Sequence, residues 1–247
     1  MPVHVGTSGW QYKDWAKDFY PPGTSNLLSF YSTKFRTVEI NATFYRLPER
    51  SVFEKWAQET PDHFLFAVKA SRFLTHMKKL KDPKEPVERL MERCSGLGSK
   101  LAVILVQLPG SFARNDERLV QTLSAFPGDV KVAVEFRHES WYDEQVRRLL
   151  ARHDAALCLA DRLGRLLTPA WRTSNWGYLR MHQGEGRPLP CYKIATLEDR
   201  AKLASQLWHR DEDVFVYFNN DTGGCAIRDA AAFASLTIRE GMDRFPT

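Results

Sequence analysis

Val130-Lys131-Val132-Ala133-Val134-Glu135-Phe136-Arg137 is a short run of β-branched and small apolar residues that ends on charge. A strand buried on both faces reads this way, because helices cover the two sides of a parallel sheet. Seven further runs share its character: Val3 to Ser8, Thr37 to Phe44, His63 to Ala70, Leu101 to Pro109, Ala155 to Asp161, Tyr178 to His182 and Val214 to Asn220. Helical patterns separate most of them, and eight β-α units in 247 residues predict a single α/β domain, a (β/α)8 TIM barrel spanning 1–247. An open doubly wound sheet is the alternative. No G-x-G-x-x-G follows the first run and no Walker lysine motif occurs, which disfavours dinucleotide and P-loop binding.

Helix starts are legible between the runs. Ser51-Val52-Phe53-Glu54 and Ser140-Trp141-Tyr142-Asp143 fit capping boxes, and Pro86 suits a first helical position. Phe53, Trp56 and Ala57 share a face, as do Val87, Leu90, Met91 and Cys94, which reads as core packing. The alternation weakens after the sixth run, where Pro169, Trp171, Asn175 and Trp176 predict an irregular or missing helix. A second loop, Gln183 to Thr196, holds Gly184, Gly186, Pro188 and Pro190.

Composition narrows the class. Hydrophobic residues make up 43% and charged residues 26%, the balance of a folded globule and not of a disordered chain. The four cysteines, Cys94, Cys158, Cys191 and Cys225, form no C-x-x-C pair, so neither a zinc knuckle nor a dense disulfide framework is signalled, and a reducing cytoplasm is the expected setting. The N-terminus lacks a basic stretch followed by an apolar segment, and no run approaches a membrane span, so no membrane partner is expected. The formal net charge is +5. Between Lys69 and Lys84 six bases, Lys69, Arg72, Lys78, Lys79, Lys81 and Lys84, face the single acid Asp82, so this segment carries the whole excess and is placed to steer an anionic ligand.

In a barrel, chemistry belongs to the C-terminal ends of the strands. Those ends supply Glu39, Asn41 and Tyr45; Lys69, Arg72 and His76; Gln107; Glu135, Arg137 and His138; Asp161; Arg180 and His182; and Asn219, Asn220 and Asp221. Side chains two apart share a face, which pairs Glu39 with Asn41, Glu135 with Arg137, Arg180 with His182 and Asn219 with Asp221. Charges inside apolar strands must be paired, hydrated or used. Taken singly they read as readily as a ring of salt bridges plugging the mouth, with Glu39 and Glu135 neutralised by Lys69, Arg137 and Arg180; their convergence from different strands favours a ligand site.

The stretches Gly6-Thr7-Ser8-Gly9-Trp10, Phe19-Tyr20-Pro21, Val38 to Tyr45, Phe66 to Ala70, Gln107-Leu108-Pro109, Val134 to His138, Tyr178 to His182 and Val216 to Asn220 resemble, in order, the YecE-like proteins, domain-of-unknown-function family 72. The resemblance implies a TIM barrel, carries no settled activity, and transfers motif positions to the Glu, Lys, Gln, Arg, His and Asn residues named above. Gln183-Gly184-Glu185-Gly186-Arg187-Pro188 departs from the family's fuller glycine-tyrosine pattern, which leaves ligand contacts in that loop unassigned.

Three functional readings follow. The first is a phosphate-bearing small molecule or nucleic acid bound, and in its enzymatic form hydrolysed, at the C-terminal face. Glu39, Glu135, His138 and His182 are its catalytic candidates. Asn41, Tyr45, Lys69, Arg72, Gln107, Arg137, Trp141, Arg180, Asn219 and Asn220 are its binding candidates. Gly223-Gly224, before a helix beginning near Ile227, offers either a phosphate cradle or a tight turn. A divalent metal held by Glu39, Glu135, Asp161, His138 and His182 would make it a phosphodiesterase, although Lys69 and Arg137 would repel a cation and no compact ligand motif occurs. The second reading is a two-carboxylate glycoside hydrolase using Glu39 and Glu135, with Trp10, Trp15, Tyr45, Trp141 and Tyr217 as stacking faces. The third is a non-catalytic barrel for an anionic ligand, in which paired carboxylates have lowered pKa values and make poor acids.

Overall fold

All eight apolar runs contain extended backbone in the computed structural model, which describes residues 2–16 and 18–239. The strands are β1 (Val3–Thr7), β2 (Thr37–Ile40), β3 (Leu65–Lys69), β4 (Leu101–Gln107), β5 (Lys131–Glu135), β6 (Ala156–Leu157), β7 (Leu159–Arg162), β8 (Arg165–Leu166), β9 (Gly177–Gln183) and β10 (Val214–Phe218). The helices are α1 (Leu27–Ser32), α2 (Ala42–Tyr45), α3 (Arg50–Gln58), α4 (Lys84–Cys94), α5 (Asp116–Ala125), α6 (Glu144–Arg152), α7 (Ile194–Leu207) and α8 (Cys225–Arg239). The fold is therefore α/β, with one curled, mostly parallel ten-stranded sheet in the order β6-β5-β4-β3-β2-β1-β10-β9-β7-β8. Cys158 alone separates β6, at one edge of that order, from β7, near the other.

Strand alternation sorts the core into two sets. Val5, Val38, Val68, Ile104, Val134, Leu179 and Val216 face outward and pack with helix residues such as Phe53, Leu90, Leu119, Val146 and Phe233. Ala67, Val103, Leu105, Ala133, Cys158, Tyr178, Phe215 and Tyr217 form a separate cluster on the concave face. Fully burying a Val, Leu or Phe side chain stabilises by roughly 1.5–3 kcal/mol, so the two clusters supply most of the driving force. The stripes read from sequence hold: Phe53, Val87, Leu90 and Cys94 are buried, with Trp56, Ala57 and Met91 packed against them.

Several boundaries differ from the sequence reading. The second run stops at Ile40, because Asn41 turns the chain and the Thr43 hydroxyl bonds back to the Ile40 and Lys69 carbonyls at 3.0 and 2.7 Å. Ser51 lies inside α3, whose cap is Glu49, and Pro86 is the third residue of α4 instead of the first. Ser140 is not a helix cap; its Oγ accepts from the Arg114 backbone N–H, while Asp143 caps α6 by accepting from Gln145 N. The segment after the sixth run is irregular as expected, with the β7–β8 antiparallel hairpin in place of a helix. Helix α8 begins at Cys225, two residues before the expected start. Cys191 and Cys225 form a disulfide, a single staple that the scattered spacing did not signal. Among the described residues no helix is long and apolar enough to cross a membrane.

Candidate functional site at the strand C-termini

The alternation that puts Ala67, Ala133, Tyr178 and Tyr217 on the concave face carries the same face upward to Lys69, Glu135, Arg180 and Asn219. Polar side chains from β1, β2, β3, β5, β9 and β10 thereby meet at one end of the sheet. At the centre is Arg180, only 1% exposed. Its Nη1 donates to Glu135 Oε2 at 2.6 Å and its Nη2 to Glu39 Oε1 at 2.8 Å. Tyr178 donates to Glu39 Oε2 at 2.6 Å and Ser8 to Glu39 Oε1 at 2.7 Å. Below this layer the Thr37 and Tyr217 hydroxyls lie 2.7 Å apart.

Burial alone would raise the pKa of both carboxyls. Arg180 outweighs it: with Tyr178 and Ser8 it holds Glu39 below its ordinary value, and with His182 and Arg137 it holds Glu135 well below. Both are therefore acceptor-only carboxylates at neutral pH. Above Glu135, Arg137 Nε donates to Oε1 at 3.2 Å, and His182 Nε2 lies 3.2 Å from the same oxygen while its Nδ1 lies 3.0 Å from Asn219 Oδ1. Glu135, Arg137, Tyr142, Arg162 and His182 line an open cavity of about 640 Å³.

Lys69 stands differently. Among the described residues its ammonium has no hydrogen-bond or ion-pair partner, and it lies 4.5 Å from the centroid of the Phe44 ring. Burial first, and then repulsion from Arg180, lowers its pKa to about 8. On the opposite flank burial raises Asp221 to about 7, opposed by the neighbouring Tyr12 hydroxyl. Four buried polar atoms around the mouth lack partners among the described residues: Asn41 Oδ1, Gln107 Oε1, Arg180 Nε and Asp221 Oδ1.

The structure thus brings together Glu39, Glu135, Arg180, His182, Arg137, Asn219 and Lys69, with Asn41 and Gln107 at their strand ends. Other expected site residues serve elsewhere. Trp141 is fully buried, stacked on Phe136 with Nε1 donating to the Phe112 carbonyl at 2.8 Å, so it is packing. His138 caps the turn Glu139–Trp141, its Nδ1 accepting from Ser140 N at 3.2 Å. Asn220 is buried and donates to Pro190 O and Asp229 Oδ2 at 2.9 and 2.7 Å. Tyr45 is 80% exposed, and Arg72, also exposed, opens the helical turn Phe73–Met77. Asp161 faces the helices and pairs with Arg200 of α7 at 2.8 Å. Trp10, Trp15 and Tyr217 are buried and offer no stacking face. Sequence reasoning missed Ser8, Tyr12 and Tyr178 and saw Asp221 only as a pairing; continuing the alternation two residues back from Arg180 would have found Tyr178.

The metal and glycosidase readings lose their geometry. The Arg180 guanidinium sits between Glu39 and Glu135, Glu135 Oε1 is shared by Arg137 and His182, and among the described residues no three His, Cys, Asp or Glu side chains converge to hold an ion. Neither carboxyl keeps a proton with which to act as a glycosidic acid. The glycine pair after β10 is internally satisfied, since Gly223 N donates to Asp14 Oδ2 at 3.4 Å and Gly224 N to the Asp221 carbonyl at 3.1 Å.

The chain matches the family described as Protein of unknown function DUF72 over residues 4–245. It is 30% identical to the UPF0759 protein YunF of Bacillus subtilis over 258 aligned positions, covering 91% of this chain and 90% of that protein. It is 28% identical to the UPF0759 protein YecE of Escherichia coli over 57% of this chain and 50% of that one. A DUF72 family crystal structure from Thermotoga maritima superposes with a TM-score of 0.84 at 31% identity, over 96% of this chain and all of the other. One from Enterococcus faecalis shares the fold at 20% identity, with a TM-score of 0.78 over 95% and 94% of the two chains. Sequence, relatives and fold agree, and the chain belongs to the DUF72 family.

Proposed function

We propose that the concave face at the strand C-termini binds a phosphate-bearing anion, either a small molecule or the backbone of a nucleic acid. The observation that carries this reading is the Lys69 ammonium, set over the Phe44 ring with no ion-pair or hydrogen-bond partner among the described residues, above a layer whose two carboxylates pair with Arg180. Arg137, which also touches Glu135, and Arg162 line the cavity with one further acid, Glu139, so that with Lys69 the bases outnumber the acids not already paired to Arg180. Unpartnered Asn41, Gln107 and Arg180 atoms add polar contacts for such a ligand. Hydrolysis of a phosphate ester is the second reading; it rests on His182, oriented through one nitrogen by Glu135 and through the other by Asn219. We further propose that the sheet closes as a (β/α)8 barrel, a reading supported by β6 running through Cys158 into β7 while pairing with β5 and β9 respectively. The scarcity of paired cysteines favours a cytoplasmic setting, and the Cys191–Cys225 bridge weighs against it.

Calorimetry with inorganic phosphate and fluorescence anisotropy with single- and double-stranded oligonucleotides test the site. Binding should weaken as salt rises and fall about tenfold in Arg137→Gln, the loss expected of one charged contact. Absence of salt-sensitive binding to every probe would remove the anion reading; phosphate binding without oligonucleotide binding would leave a small-molecule site.

A further inference from the structure

Lys69, Phe44 and His76 form a group that the anion-binding reading only half uses. The chain positions them twice over: the Thr43 hydroxyl ties the Lys69 carbonyl to α2, and Phe44 of α2 packs edge-on against His76 at 4.8 Å between centroids. Lys69 Nζ lies 4.5 Å from the centroid of that same ring. Lys69 and His76 therefore both contact one aromatic ring, and no carboxylate is within ion-pairing distance of the amine among the described residues. A lysine meant only to neutralise charge in the empty protein would have an acid beside it. This one instead has Arg180 close enough to repel its protonated form, with Glu39 and Glu135 opposing that repulsion only from beyond ion-pairing distance.

We propose that Lys69 is an imine-forming amine, and that the site takes an anionic carbonyl compound, an aldehyde or ketone bearing phosphate or carboxylate. The inference rests on the anion-site reading, with Arg137 holding the anionic group while the carbonyl meets Nζ. The nitrogen lone pair attacks the carbonyl carbon as the carbonyl π electrons move to oxygen, giving a carbinolamine. The C–O bond then breaks and both hydrogens of the amine leave with that oxygen as water, so the condensation balances without any oxidant or cofactor. Burial and Arg180 place the Lys69 pKa at about 8, which supplies free amine near neutrality. Burial, and then the charges of Lys69, Arg137 and Arg72, lower His76 and keep its imidazole neutral. With Nδ1 engaged by the Thr75 hydroxyl at 2.9 Å, His76 Nε2 is left to carry protons to and from the nitrogen.

The test is reductive trapping on the full-length wild-type chain, with glyoxylate as the anionic aldehyde and cyanoborohydride as reductant, read lysine by lysine by peptide mass spectrometry. Lys69 should be alkylated at least about tenfold faster than the exposed Lys55 and Lys84, because its free-amine fraction is larger. Inorganic phosphate should slow Lys69 alone and leave the labelling of Lys55 and Lys84 unchanged. Labelling of Lys69 no faster than of Lys55 and Lys84 overturns the imine proposal. If phosphate still binds by calorimetry in that case, the anion site survives without it. Fast labelling that phosphate neither slows nor accompanies with binding removes the anion reading and keeps the reactive amine.

Discussion

Arg180 concentrates the residue-scale energetics, because one guanidinium satisfies two carboxylates that are otherwise cut off from water. Breaking such a group leaves uncompensated buried charge, so Arg180→Met should cost about 3–5 kcal/mol in urea unfolding. Adding Glu39→Gln and Glu135→Gln to that variant should recover a substantial part, which distinguishes lost pairing from lost packing. The lowered pKa values set the sign of the acid response. The stability they contribute is present above the ordinary carboxylate range and is lost as pH falls through the native values, so the urea midpoint should drop on acidification. Asp221 works in the other direction. Its pKa, raised to about 7, means the native state holds an extra proton, so its contribution is greatest below the ordinary aspartate value and fades as pH rises toward 7. Asp221→Asn should flatten that part of the pH–stability curve and stabilise the protein at pH 8 by about 1 kcal/mol, measured by thermal unfolding across pH. Glu39, Glu135, Arg180 and His182 were legible as single letters, since charge inside an apolar strand is conspicuous. A salt-bridge ring of Glu39 and Glu135 with Lys69, Arg137 and Arg180 was legible as one alternative, but which base takes which acid was not, because the pairs join residues 45 and 141 positions apart.

Elements were legible where a period repeats and less so where a single turn decides. The eight runs each yielded extended backbone because burial on both faces forces an unbroken apolar stretch. The end of β2 was misplaced because Ala42, Thr43, Phe44 and Tyr45 suit a strand by composition, whereas the Asn41 turn and the Thr43 bond to β3 make them a helical turn. Capping failed for the same reason: Ser51 and Ser140 have the right spacing, but Glu49 and Asp143 stand where the chain enters the helix. A packing constraint between elements is testable at Gly6. A Cβ there would lie 2.2 Å from the Thr37 carbonyl oxygen of β2, against backbone that cannot swing away. Gly6→Ala should destabilise by roughly 3 kcal/mol or more, while Gly128→Ala, whose Cβ would meet nothing within 4 Å, should stay within about 0.5 kcal/mol, both by thermal unfolding.

At the scale of the whole molecule, the +5 excess is tied to one place: the segment leaving β3 carries it, with Lys79 Nζ held by the Ser111 carbonyl at 2.9 Å and Met77 exposed beside it. The Cys191–Cys225 bridge closes a loop across 34 positions, joining the segment after β9 to the start of α8. Reduction should therefore lower stability by about 3–4 kcal/mol, seen as a fall in Tm under dithiothreitol that a Cys191→Ala/Cys225→Ala variant reproduces without reductant. Thiol titration under denaturing, non-reducing conditions should count only Cys94 and Cys158 as free. By itself the sequence determined the α/β class, the strand count apart from the Cys158 break and the β8 hairpin, the end of the sheet that carries charge, and the family resemblance, because these follow from local periodicity and motif order. Tertiary structure alone decided that Arg180, out of the three bases the sequence offered, bridges both glutamates, that Lys69 has no ion-pair partner among the described residues, that Trp141, His138 and Asn220 support the scaffold, and that two distant cysteines meet. Those outcomes depend on which side chains a curled sheet brings within a few ångströms, and strand periodicity fixes only the face on which a side chain lies, not the neighbour it finds there.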